Sequence, residues 1–303
     1  METRLDFMPT SVKMFDRSTA SPKDQAFQGT EKIVGIWRLG SRLTRGTGTE
    51  LFLAQPADSQ GNPRYDYVLK TVAGVVSNDV GDVPAANAIR DAQRQIGQSI
   101  QAAGVTHPNL IAILDASGSP HAPYVVMPRL DAVSMDQRTQ QIEHFAVPVA
   151  LWWTRQIGQA LEKLHAAGWV HGDVKPENIL IDAKGHVTLI DLGFAARTHT
   201  PMHRVFRGTP DYASPELMSG STAALPAMDV FALGRVLWES LSATSPVSQH
   251  VIEPVAELIE SMVASDPLER PTISTVVQRL LSLEIQTLGG HIGPSVSAQR
   301  IAA

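Results

Sequence analysis

The chain has no cysteine, which excludes a disulfide framework and a cysteine-ligated zinc site. Long apolar runs are missing too. FAVPVALWW at 145–153 is interrupted by Pro148 and falls well short of the roughly 20 residues that a bilayer span needs. The N-terminus carries no apolar segment of the signal-peptide kind, so no membrane span is expected and the cytoplasm is the expected compartment. Basic charge is not in excess: 25 Lys and Arg stand against 30 Asp and Glu, a formal net charge of -5. That balance offers no footprint for nucleic acid. No internal repeat is visible, which removes solenoids and propellers. One further absence is local: between Glu50 and Glu143 there is no glutamate.

What remains is a globular composition, 43% apolar over 303 residues, long enough for one large domain or two lobes. Residues 1–33 are polar and aperiodic and read as a tail, as do 285–303, where Gly, Ser and Pro interrupt the helical period. The first hundred residues favour strands (KIVGIWRLG, ELFLA, RYDYVLKTV) separated by turn signals. One helix is predicted over 85–103, followed by two short strand-like runs, LIAILDA and YVVM. The second half is mainly helical. In ALWWTRQIGQALEKLHAAG, Trp153, Ile157, Leu161 and Leu164 recur at helical spacing and Gly168 marks a stop. DVFALGRVLWESL and PTISTVVQRLLSLE are predicted helices as well, the latter with Pro271 near its start.

The chemistry concentrates in HGDVKPENILID, 171–182. A short strand follows this loop, and a second, HVTLI, ends in Asp191-Leu192-Gly193. Two acids at the mouths of neighbouring strands, with Lys and Asn beside the first, suit metal-assisted phosphoryl transfer. That reaction needs hard oxygen ligands for magnesium and a base for a hydroxyl.

Order and spacing add to this. Tyr67-Val68-Leu69-Lys70 has the shape of the strand-borne V-A-I-K lysine, and Asp173 with Asn178 five residues on matches the catalytic-loop pattern. Asp191-Leu192-Gly193 stands for D-F-G, and Ser214-Pro215-Glu216 for A-P-E. Over roughly 34–284 the chain resembles the eukaryotic-type serine/threonine protein kinase family. The resemblance implies an α+β, two-lobed protein kinase-like fold. A small β-sheet lobe with one helix would span 34–128, and a larger, mainly helical lobe 129–284.

It also implies roles. Lys70 would hold the α- and β-phosphates of ATP, and Asp191 and Asn178 would hold Mg2+. Asp173 would accept the proton of a protein Ser or Thr hydroxyl, while Lys175 would neutralise charge on the γ-phosphate. Leu43 and Leu51 would sandwich the adenine, with Met127 at the back of the pocket and a hinge near Pro128 to Leu130. Thr209 would contact Asp173 and Lys175, and Glu216 would pair with Arg270 as a structural anchor beside Asp229. His171 reads as a packed residue of the loop. Glu177 either attracts a basic substrate residue or shapes the loop.

Three departures stand out. The glycine loop keeps its middle glycine in register, in Leu43-Thr44-Arg45-Gly46-Thr47-Gly48-Thr49. The regulatory helix lacks the glutamate that should clamp Lys70, and Asp91, its only acid, is the expected substitute. Gly172 stands where an Arg often precedes the catalytic Asp, so activation is not expected to depend on a phosphate at Thr198 or Thr200 through that contact.

Two other functions compete. A pseudokinase, keeping the fold as a nucleotide-binding or scaffolding module, is supported by the frayed loop and the missing Glu; Lys70, Asp173, Asn178 and Asp191 together stand against it. A small-molecule kinase would carry His two residues past the Asp and lack the A-P-E-type segment, so Lys175 and GTPDYASPE favour a protein hydroxyl. No feature sets an oligomeric state.

Overall fold

The computed structural model describes residues 32–292, apart from 46–47, 60–63, 77–84, 143, 202–209, 221–222 and 247. In the first lobe β1 (Ile33–Val34), β2 (Trp37–Arg45), β3 (Thr49–Pro56), β4 (Tyr67–Val72), β5 (Asp115–Ser117) and β6 (Tyr124–Pro128) form one sheet in the order β1-β2-β3-β4-β6-β5. Every pairing is antiparallel. β4 is covered on both sides. Leu69 packs with Trp37, Phe52 and Val126, whereas Val72 packs with Ala92 and Ile96 of α1 (Ala86–Ala102). Burial of both faces explains why YVLKTV reads as a nearly continuous apolar run. On α1, Ala92, Ile96, Ser99 and Ala102 are buried, the 3–4 spacing of a single helical stripe.

The second lobe is held by helices. They are α2 (Met135–Gln141), α3 (Val147–Ala166), α4 (Pro215–Ser219), α5 (Pro226–Ser242), α6 (Gln249–Met262) and α7 (Ile273–Ile292). Leu151, Ile157 and Leu161 of α3 meet Leu233 and Leu237 of α5, Leu258 of α6 and Leu280 of α7 in one core cluster. Each such side chain contributes about 1.5–3 kcal/mol when fully buried. Among the described residues no helix is long and apolar enough to cross a membrane.

Helix ends differ from the periodicity reading in three places. α3 begins upstream of the ALWW pattern because Pro148 lies in its first turn, where the missing N–H costs nothing. α6 carries Pro254 inside it, yet Val255, Leu258, Ile259 and Met262 are buried, and that packing holds the helix. The helix runs past the expected boundary at 285: α7 continues to Ile292, with Leu283 and Thr287 buried along it.

Two small antiparallel sheets lie between the lobes' cores and carry the polar loops. β7 (Ala132–Ser134), β9 (Ile179–Asp182) and β10 (Val187–Leu189) pair in the order β10-β9-β7, and β8 (Trp169–Val170) pairs with β11 (Ala196–Arg197). The HGDVKPEN loop connects β8 to β9, and Asp191 follows β10. The expected α+β, two-lobed arrangement is the one observed.

Candidate active site

The loop after β8 is fixed from beneath by Asp229, in the first turn of α5 and 1% exposed. Its carboxylate accepts the His171 amide at 2.8 Å, the Gly172 amide at 2.9 Å and His165 Nε2 at 2.8 Å. Burial pushes this carboxyl up, but the His165 ring, His171 and the Gly172 amide outweigh it and hold the group below the usual carboxylate range. A depressed folded value means stability that is present above the ordinary value of 3.8 and lost as pH falls through the folded one. Asp229→Asn is therefore expected to lose less on acidification than the wild type does, which urea midpoints on either side of that value will show.

His171 is fully buried, with Nε2 against the Ile190 carbonyl at 3.1 Å and Nδ1 accepting the Asp173 amide at 3.3 Å. Both ring nitrogens are engaged in holding backbone, as a packed structural residue would be. Asp173 and Asn178 are each 7% exposed. A 3-10 turn over Pro176–Asn178 folds Asn178 back so that its amide donates to both the Asp173 carbonyl and Asp173 Oδ2 at 2.8 Å. Lys175 Nζ reaches the same Oδ2 at 2.8 Å. Glu177 is half-buried, its carboxyl pushed up by burial, and one of its oxygens is buried without a hydrogen-bond partner.

Facing this loop is Lys70, placed by the β4 register opposite Leu51 of β3 and Val125 of β6. Its Nζ meets Asp191 Oδ1 at 2.7 Å. Asp191 sits in the left-handed region at φ 65°, uncommon outside glycine but tolerated by Asp. Its Oδ1 also takes the Gly193 amide at 3.1 Å. Burial pushes the Asp191 carboxyl up; Lys70, the Gly193 amide and His171 outweigh that and hold it below the usual range. Leu51, Met127, Val125 and Ser99 line a small cavity with this pair. Met127 and Leu130 rest on a buried cluster of Ile111, Leu180 and Ile190.

These donors suit a magnesium-bound polyphosphate. Asp191 and Asn178 offer hard oxygen atoms, and two ammonium groups stand near them. Among the described residues no group of three or more His, Asp or Glu side chains could hold a metal ion; a magnesium ion held by one or two protein groups plus phosphate oxygens needs none.

A model of the protein kinase domain matches residues 85–281. The chain belongs to the protein kinase family. Among similar curated proteins, serine/threonine-protein kinase PSK2 of Saccharomyces cerevisiae is 33% identical over 139 residues, covering 41% of this chain and 13% of that protein. Serine/threonine-protein kinase Sgk2 of Rattus norvegicus is 31% identical over 174 residues, 57% and 46% respectively. Probable serine/threonine-protein kinase PknB of Lactococcus lactis is 28% identical over 192 residues, 61% and 30%. The chain spans less than half the length of each. The matched region begins at α1, so the strand bearing Lys70 lies outside it.

Within this kinase domain the residues singled out by sequence do not all converge. Lys70, Asp173, Lys175, Asn178 and Asp191 occupy the strand and loops just described, Leu51 and Met127 line the cavity, and Leu130 packs beneath it with Ile111, Leu180 and Ile190. Leu43 is half-buried in β2. Gly46 and Thr209 lie outside the described residues. Gly48 is pressed on α1: a Cβ there would come within 2.5 Å of the Ala88 carbonyl. Asp91 is not the partner of Lys70. Its Oδ1 faces Arg94 at 3.4 Å, and it lines a cleft with Gly48, Gln95 and Phe194 rather than the cavity of the Lys70–Asp191 pair. Ser99 and Ile190 also line the cavity; Ile190 lies in an apolar strand run, while nothing about an isolated serine marks it as cavity-lining.

Gly172 is required by its backbone. Its φ is +79°, and a Cβ would meet the Phe194 carbonyl at 2.8 Å. Gly172→Arg is therefore expected to lower stability by about 1–3 kcal/mol rather than to create a phosphate-gripping arginine. Thermal unfolding of the variant and its response to acidic residues at Thr198 and Thr200 check both halves.

Proposed function

We propose that the chain is a serine/threonine protein kinase that transfers the γ-phosphate of Mg-ATP to a protein hydroxyl in the cytoplasm, its lobes meeting near residues 128 and 129. The observation that carries the reading is the shared carboxylate: Asp173 Oδ2 holds both Lys175 Nζ and Asn178 Nδ2 at 2.8 Å. A base, a cation for the transferred group and a metal ligand are thereby kept on one rigid turn.

Asp173 orients the substrate hydroxyl and accepts its proton as that oxygen bonds the γ-phosphorus and the bond to the leaving ADP oxygen breaks. Lys175 stabilises the charge that gathers on the phosphoryl oxygens. Lys70 positions the α- and β-phosphates. Asp191 and Asn178 are the ligands for magnesium, which supplies charge neutralisation when bound. Lys175, rather than a histidine, and the serine/threonine kinases among the relatives support a Ser or Thr acceptor.

Two observations favour the pseudokinase instead: Gly48 packed onto α1 and Lys70 occupied by the metal-ligand residue. Incubation with magnesium and γ-labelled ATP, beside Asp173→Ala, decides between them. Label on Ser or Thr that vanishes in the variant is the expected result; absence of label in both proteins sinks the catalytic reading.

A further inference from the structure

Glu50 is 0% exposed, although it stands second in β3, at the end of the sheet where β2 stops and β4 runs out. Strand alternation puts it on the face of Phe52, whose neighbours Trp37, Leu39 and Leu69 are buried and apolar. A carboxylate buried there costs free energy unless it is paired. It is held from two sides: Arg42 Nη1 of β2 lies 3.0 Å from Oε1, and the Gly74 amide, in the turn after β4, donates to Oε2 at 3.3 Å. Arg42 itself sits between two register shifts of the β2–β3 pairing, where a bulged ladder needs something to fix it. The other face of this corner is the nucleotide side. Leu51 pairs with Lys70 across β3 and β4, and both line the cavity that contains Asp191.

Resting on the kinase reading, we infer that Glu50 is a positioning residue for the nucleotide: its bonds with Arg42 and the Gly74 amide fix the register of three strand ends, and with it the placing of Leu51 against Lys70. Replacing a buried ion pair by well-packed apolar residues is often neutral or stabilising, so stability alone does not call for a charge at residue 50. Register does. A slip of one residue in β3 would turn Leu51 to the opposite face of the sheet and out of the cavity. Glu50 acts through Leu51 and Lys70 and not on the nucleotide itself.

The experiment is equilibrium titration of the full chain with a fluorescent ATP analogue in Mg2+, paired with thermal unfolding in its absence. The proteins are wild type, the double variant Arg42→Leu with Glu50→Met, Glu50→Gln and Arg42→Lys. The double variant is expected to unfold within about 3 °C of wild type yet to bind about fivefold more weakly, the factor that corresponds to about 1 kcal/mol. A pair that only propped the sheet would show the reverse, a lower midpoint with unchanged affinity per folded molecule. Glu50→Gln keeps the volume and an acceptor for the Gly74 amide, so it tests the charge even where the double variant fails to fold. It too should bind about fivefold more weakly. Arg42→Lys, which keeps the charge, should stay within about twofold of wild type. Wild-type affinity in either uncharged variant, or unfolding of both, overturns the assignment to Glu50 while a binding wild type leaves the kinase reading in place. A wild type that binds no analogue overturns both readings.

Discussion

Asp173→Ala is expected to reduce phosphotransfer by a few powers of ten while leaving the fold in place. General-base contributions alone run about 10² to 10⁴, and this carboxylate does more than receive a proton. It anchors Lys175 and Asn178 through one oxygen, so its loss frees the cation and the metal ligand from their fixed positions. Positioning errors of that kind multiply the cost, since catalysis of this reaction is almost wholly alignment and electrostatics. Asp173→Asn separates the contributions, because an amide keeps an oxygen near Lys175 but is no base. Single-turnover transfer from labelled ATP, with circular dichroism to confirm folding, is the measurement. Retention of most activity by the alanine variant would remove Asp173 from the mechanism.

Arg270→Ala is expected to have the largest effect on stability. The guanidinium is fully enclosed and takes both oxygens of Glu216, at 2.7 and 2.9 Å. It also donates to the carbonyls of Ala264, Ala227 and Ser265 and lies 5.0 Å from the Phe231 ring centroid. The pairing expected between Glu216 and Arg270 is thus observed, and it joins α4 to the segment preceding α7. Burial pushes the Glu216 carboxyl up, yet Arg270 together with its other hydrogen bonds holds it below the usual range. Removing one partner of a buried pair costs about 3–5 kcal/mol, because the other charge is left uncompensated. For a domain of this size the unfolding midpoint should fall by on the order of 10 °C. Glu216→Gln, which keeps an acceptor, should cost less. A loss below about 1 kcal/mol for Arg270→Ala would show that the pair is not an anchor.

The two predictions therefore assign activity and stability to different residues. Asp173 and its partners lie on a loop whose shape is set by Asp229 and His171, whereas Arg270 joins α4 to the segment before α7. Variants at Arg270 should weaken the kinase domain through unfolding, and transfer per folded molecule should change less than transfer per total protein. The departures in the first lobe belong to a third category. The glycine loop and the helix lack groups that the family resemblance leads one to expect, and in the second lobe the backbone at Gly172 leaves no room for the expected side chain.

How much of this was legible beforehand depended on distance along the chain. The hydrogen bonds joining Asp173 to Asn178 span five residues, and a loop that short, with Pro176 setting its turn, has few ways to close. The position of Asp191 at a strand end followed from HVTLI, and the buried stripe of α3 from its period. By contrast, the partner of Lys70 lies 121 residues away, and no local pattern chooses between Asp191 and Asp91. Asp91 stood out only as the sole acid of its helix. The rotation of α1 was decided by burial of Ala92 and Ile96 against Val72 and Val125, which puts Ser99 on the lining of the lysine's cavity. Proline was equally ambiguous: Pro148 begins a helix and Pro254 sits inside one because the apolar faces beyond them are buried.

By itself, then, the sequence determined the candidate groups, their order and the two-lobed class, because those are set by residue type and short-range spacing. Only the tertiary structure decided which charge meets which, why residue 172 must be glycine and where α7 ends. Those outcomes depend on surfaces brought together from distant segments, whose packing no single stretch encodes.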